Sequence, residues 1–172
     1  MKSLLSHRLS MDGINDICLL VQGEQNHSLK ELLYQLTLDD DRRVAVNALW
    51  TFTHFTAADN EWLYVKHDQL IDRCLKEYDP TKLRLILSIL LRQPFEEETV
   101  RTDFIDFCLA RFTDARAPYA IRALCIKLAY EQMKYWSELL NELRQMLVLI
   151  SNEPLSPGLR SAWRQVMKKI KA

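Results

Sequence analysis

Apolar positions recur at helical spacing through nearly the whole chain, and the densest run lies between Asp39 and Ala58. Two arginines follow an acidic start, and then come Val44, Ala45, Val46, Ala48, Leu49, Trp50, Phe52 and Phe55. At about 100° per residue, Ala45, Ala48, Leu49, Phe52 and Phe55 share one side of a helix. Val46, Trp50 and Ala57 fall on a second side, leaving Asn47, Thr51 and His54 as a narrow polar strip. A helix with two apolar sides is expected to be sandwiched between neighbours rather than laid over one core. No alternating β-branched run lies between turn residues, so no strand is expected.

After a loose start over 1–10, the same periodicity predicts helices over about 11–22, 28–38, 41–58, 61–78, 80–93, 97–113, 116–134, 137–151 and 157–171. Local chemistry supports the boundaries. Asp79-Pro80 and Ser156-Pro157 each place an N-cap oxygen before a proline at the first helical position, where its missing N–H costs nothing. The acidic triplets Asp39-Asp40-Asp41 and Glu96-Glu97-Glu98 stand at predicted helix starts, where carboxylates offset the positive end of the helix dipole.

Overlaying helix starts exposes a repeat. The run Arg43 to Leu49 aligns with Pro118 to Leu124, and Lys82 to Ser88 and Pro157 to Trp163 fit the same frame, at offsets of 39, 36 and 39 residues. Each interval holds two helices, which is the period of an α-solenoid. Ala48, Ala123 and Ala162 share one register, where adjacent helices are expected to approach closely, with Leu87 as the exception. On these residues the chain resembles the HEAT and armadillo-like repeat family over about residues 28–171. The resemblance implies an all-α, right-handed α-solenoid of about four antiparallel helix pairs. It would form a single domain over 1–172: a divergent first pair at 11–38, repeats at 40–78, 79–113 and 114–151, and a capping helix at 153–172. In such families the first helices lie on the convex side and the second helices line a concave, often peptide- or protein-binding, surface.

Composition narrows the function. Lys plus Arg and Asp plus Glu are both 23, so the net charge is zero and global attraction to nucleic acid or anionic membrane has no support. The first helices of the pairs are neutral to basic, and the second are net acidic. Only three glycines occur, too few and too scattered for a phosphate-cradling loop, a dinucleotide fingerprint or a nucleophile elbow. The four cysteines stand far apart at apolar helical positions and are expected to be buried thiols. No signal-peptide core and no membrane-spanning run is present, so a cytoplasmic protein is expected, with no membrane partner.

Among candidate sites, the stripes of the second helices that face away from the core come first: Trp62, Gln69, Asp72 and Lys76, then Thr102, Asp103 and Asp106, then Glu138, Asn141 and Gln145. Val65 belongs to the first stripe, and Trp136 adds an aromatic near the start of a second such helix, as interface anchors often do. The last helix carries Arg160, Arg164, Lys168, Lys169 and Lys171, which suits a solubilising cap. Glu24 and His27 have the spacing of a di-iron ligand pair but occur in a single copy, so neither metal nor cofactor is expected. The function expected is a non-enzymatic scaffold that binds a protein or peptide through the second-helix face. The alternative is nucleic-acid binding or repair of the HEAT-like alkylpurine DNA glycosylase kind, with Trp62, Asp72 and Arg101 cast in its roles. The acidic second helices oppose it.

Overall fold

The computed structural model describes residues 1–171, and among them there are helices and turns but no strand. In chain order the helices are α1 (Lys2–Leu5), α2 (Met11–Val21), α3 (His27–Leu36), α4 (Arg42–Phe52), α5 (Ala57–Asn60) and α6 (His67–Lys76). They continue as α7 (Pro80–Leu90), α8 (Thr102–Thr113), α9 (Tyr119–Met133), α10 (Ser137–Ile150) and α11 (Pro157–Lys171). Two 3-10 segments, Glu61–Lys66 and Glu97–Thr99, precede α6 and α8. The chain divides into two compact units. The N-terminal unit comprises Met1–Leu70 with Glu77–Gln93, and the C-terminal unit comprises Ile71–Lys76 with the chain from Pro94 onward.

In the N-terminal unit α4 is the inner helix, packed against α1, α2, α3 and α7. Val44, Ala45, Ala48, Leu49 and Phe52 are buried, as expected of a sandwiched helix. The polar strip differs from expectation, because Asn47 and Thr51 are buried too. Asn47 Nδ2 donates to the carbonyls of Leu5 (2.8 Å) and His7 (2.9 Å). That is why the start of the chain is not loose: Asn47 holds the carbonyl of Leu5 at the end of α1 and that of His7 just beyond it, and the Leu5 side chain is fully buried.

Helix α4 stops at Phe52 rather than running to 58. The carbonyls at and just past its end find a partner that periodicity does not reveal: Arg92 donates to Phe52, the last residue of α4, and to Thr53 and Phe55 beyond it. Ala57 therefore belongs to α5 and is exposed, and the helix expected over 61–78 becomes a 3-10 segment and α6. The Glu96-Glu97-Glu98 triplet lies on a 3-10 turn ahead of α8 and not at its first residue. The other caps form as expected. Asp41 accepts from the backbone of Arg43 and Val44, Asp79 from that of Thr81 and Lys82, and Ser156 from that of Leu159.

In the C-terminal unit the inner helix is α9, packed against α8, α10 and α11. Its buried residues, among them Ile121, Cys125, Ile126, Leu128 and Met133, surround it on several sides. Ala123 is only half-buried, contrary to its expected close-approach role. Pro118 occupies the N-cap of α9 and Tyr119 and Ala120 are exposed, so the buried face begins two positions later than the overlay assumed. The register that repeats in burial is Ala48, Ile86, Cys125 and Ala162. Leu87, the exception in the overlay, is itself fully buried one position after Ile86.

Candidate functional site

The C-terminal unit carries most of the residues that sequence reasoning singled out. α8 turns Phe104, Ile105, Cys108 and Phe112 inward, which leaves Thr102, Asp103 and Asp106 exposed on its other side. α10 buries Leu143, Leu147 and Ile150 and exposes Glu138, Asn141 and Gln145. At the end of α6, Ile71 and Cys74 are buried while Asp72 and Lys76 face solvent. Arg101 links two of these stripes. Its guanidinium sits 2.8 Å from Asp72 and 2.7 Å from Asp103. Hydrogen bonding to Arg101 holds the Asp103 carboxyl below the usual carboxylate range, and the two aspartates push the Arg101 pKa up. The two aspartates are about half-exposed, so this network orients side chains more than it stabilises the fold.

Between the first turns of α8 and α10 lies an open groove of about 430 Å³. Val100, Ile105, Trp136 and Leu139 form its apolar lining, with Thr102 beside them and the carboxylates of Glu97 and Glu138 at the rim. Trp136 is the N-cap residue of α10, and its ring packs edge-on to Tyr135 at 5.9 Å. The Tyr135 hydroxyl donates to the carbonyl of Phe95, so the turn before α10 is tied to the segment leading into α8. Sequence reasoning reached Thr102, Trp136 and Glu138 here but missed Glu97, Val100, Ile105 and Leu139. Glu97 reads as a cap, and periodicity does not say which of the apolar positions lie at an open edge. A second hollow of about 440 Å³ runs along α10 and is lined by Asn141, Arg144, Gln145, Val148 and Leu149.

In the N-terminal unit Trp62 and Gln69 have local partners. Trp62 is half-buried, stacked parallel to Phe52 at 6.2 Å and edge-on to Tyr34 at 6.3 Å, with the Lys66 ammonium over its ring. Gln69 is exposed and accepts a hydrogen bond from the Tyr34 hydroxyl at 3.3 Å. Trp62 also edges a polar hollow of about 870 Å³ shared with Glu24, His27, Lys30, Asp59 and Glu61. At its base Lys30 and Asp59 form an ion pair at 2.6 Å. Gly23, held at a φ of +114° that strains any side chain, brings its N–H to Asp59 at 2.8 Å.

The remaining candidates are less chemically disposed. The basic residues of α11 face solvent, except that Lys169 also reaches Glu131 at 3.1 Å and lies over the Tyr130 ring. Burial pushes the Cys18 thiol up to about 11 and the Cys108 thiol well above its ordinary value, so both are protonated at neutral pH. Among the described residues no group of three or more His, Cys, Asp or Glu side chains is placed to hold a metal ion. No helix of the described residues is long and apolar enough to cross a membrane. Arg101, placed between two carboxylates, is poorly disposed to meet a phosphate, which removes one of the three roles that a glycosylase would need.

Compared with known proteins, the chain matches one family model, described as HEAT repeat domain, over residues 1–170. No curated protein and no solved structure matches it.

Proposed function

Since the chain belongs to the HEAT repeat domain family, whose members are helical-repeat scaffolds that often mediate protein interactions, we propose that it is a non-catalytic module that binds a protein or peptide partner through the exposed faces of its second helices. One observation carries the proposal. Gln69, Asp72, Lys76, Thr102, Asp103, Asp106, Glu138, Asn141 and Gln145 all remain exposed, while the opposite faces of the same helices are buried. Trp62 is the aromatic of this set, half-buried and held in place by its neighbours, as interface anchors commonly are.

The proposal is tested with a partner captured by the tagged full chain from its native host, and its kinetics measured by surface plasmon resonance. Asp106→Lys with Asn141→Lys changes two exposed positions, so stability should move by about 0.5 kcal/mol or less. Association should slow, because rim charges act mainly on the encounter rate. Asp72 is a poor choice for reversal, since a lysine there would face Arg101. Unchanged kinetics in the Asp106/Asn141 variant, beside a loss on Arg160→Glu with Arg164→Glu, would move the site to α11 and end this reading.

A further inference from the structure

We infer that the groove between the first turns of α8 and α10 receives a partner peptide in which an apolar side chain is flanked by lysine or arginine. This deepens the protein-binding reading and rests on it. The lining argues for the apolar side chain. Val100, Ile105, Trp136 and Leu139 meet at one open hollow of about 430 Å³, within the range of about 300–1,000 Å³ that holds small ligands. A hollow of that size suits an anchoring side chain rather than a whole helix. Trp136 is half-buried, and its position is set by Tyr135 and by the bond from Tyr135 to Phe95, so an anchor would meet a pre-ordered wall.

Charge argues for the flanking cations. Two helix N-termini point their positive ends toward this region, and each is equivalent to about half a unit charge. Arg101 adds one more, but it is already paired with Asp72 and Asp103. Lys134, in the turn before α10, is paired with Glu131 at 2.8 Å and lies over the Tyr135 ring. Against these stand the exposed carboxylates of Glu97 and Glu138 at the groove, with Glu96 and Glu98 next to Glu97 in the chain and exposed too, so the rim remains negative. An acidic or phosphorylated peptide would meet that rim as a like charge, whereas a basic one is complementary to it.

The test uses the full chain and three short fluorescein-labelled peptides, read by fluorescence anisotropy at low and physiological salt. One carries a phenylalanine between lysines, the second replaces the phenylalanine by serine, and the third replaces the lysines by glutamates. The first should bind, the other two should not, and salt should weaken the binding because the rim is screened. Trp136→Ala should weaken it about 30-fold or more, as loss of a buried aromatic anchor does. Glu97→Lys with Glu138→Lys changes exposed residues only, so it should keep the thermal melting curve and remove the preference for lysine flanks even if Trp136→Ala fails to fold. Binding of the acidic peptide in preference, binding untouched by the Glu97/Glu138 variant, or no binding of any peptide would each overturn the inference. So would self-association of the chain that the Glu97/Glu138 variant abolishes, since the groove would then belong to a second copy. A captured partner that ignores the Trp136 and Glu97/Glu138 variants but is lost on Asp106→Lys with Asn141→Lys overturns the groove alone and leaves the wider proposal standing.

Discussion

Lys30 is 3% exposed, in a position where a lysine survives only if its charge is matched. Its partner is Asp59. Burial pushes the Asp59 carboxyl up, but hydrogen bonds from Lys30, the Gly23 N–H and Thr56 outweigh it and hold the group below the usual carboxylate range. Removing one member of a buried pair leaves the other uncompensated, so Asp59→Asn should lower stability by about 3 kcal/mol. The double variant Lys30→Met with Asp59→Leu should recover most of that loss, since neither charge is then stranded. Urea denaturation of the three proteins checks this, and a single variant within about 1 kcal/mol of the parent would show that water reaches Lys30 freely. Arg122 follows the same logic in the other unit. It is 1% exposed, its Nε donates to the Phe112 carbonyl at 2.8 Å, and its guanidinium meets Glu153 at 2.9 Å. A planar fork serves both partners at once, as a lysine would not.

At the level of elements, the ends of helices are decided by different agents. The start of α7 is set locally. Asp79 caps the N–H groups of Thr81 and Lys82, and Pro80 suits the first helical position. Arg42, from the first turn of α4, reaches the same carboxylate and is the main reason its pKa lies below the usual range. Asp79→Ala should therefore cost about 1 kcal/mol for the cap, and little more for Arg42, whose side chain is largely exposed. The shift of the urea midpoint measures it, and no shift would mean that the cap is replaced by water. The end of α4 is set remotely, by Arg92 gathering the carbonyls of its last residue Phe52, of its C-cap Thr53 and of Phe55 just beyond, and the end of α1 by Asn47. Both are cases of orphan helix carbonyls satisfied by side chains distant in sequence.

Across the whole molecule, carboxylates with lowered pKa values are numerous: Asp39, Asp59, Asp79, Asp103, Asp114, Glu31 and Glu131. A carboxyl whose folded value lies below its unfolded value binds fewer protons when folded, so its stabilisation is present above the unfolded value, near pH 4. It is lost as pH falls through the folded value. The urea midpoint should hold above about pH 5 as far as these groups are concerned and fall steeply toward about pH 3. A midpoint that stayed level to pH 3 would mean that these pairs contribute nothing. Glu31, Asp103 and Asp114 are exposed, so the decline should come mainly from Asp39, Asp59, Asp79 and Glu131, whose side chains are the better shielded.

That the chain is helical, where most helices begin, and that they recur in pairs near the HEAT period can all be read from the residues in order. Periodicity, N-caps and prolines act within three or four residues of one another, so the local chain carries that information. The same holds for the stripes of α6, α8 and α10 that face solvent, since an amphipathic helix has one way to bury its apolar side. Packing between distant segments put Asn47 and Thr51 inside, stopped α4 at Phe52, and gave the repeated buried register to Cys125 rather than Ala123. Packing also brought Val100, Ile105, Trp136 and Leu139 to one groove. Each of those outcomes depends on a partner tens of residues away, or on which face of a core residue is left uncovered. Sequence spacing along a single helix contains neither.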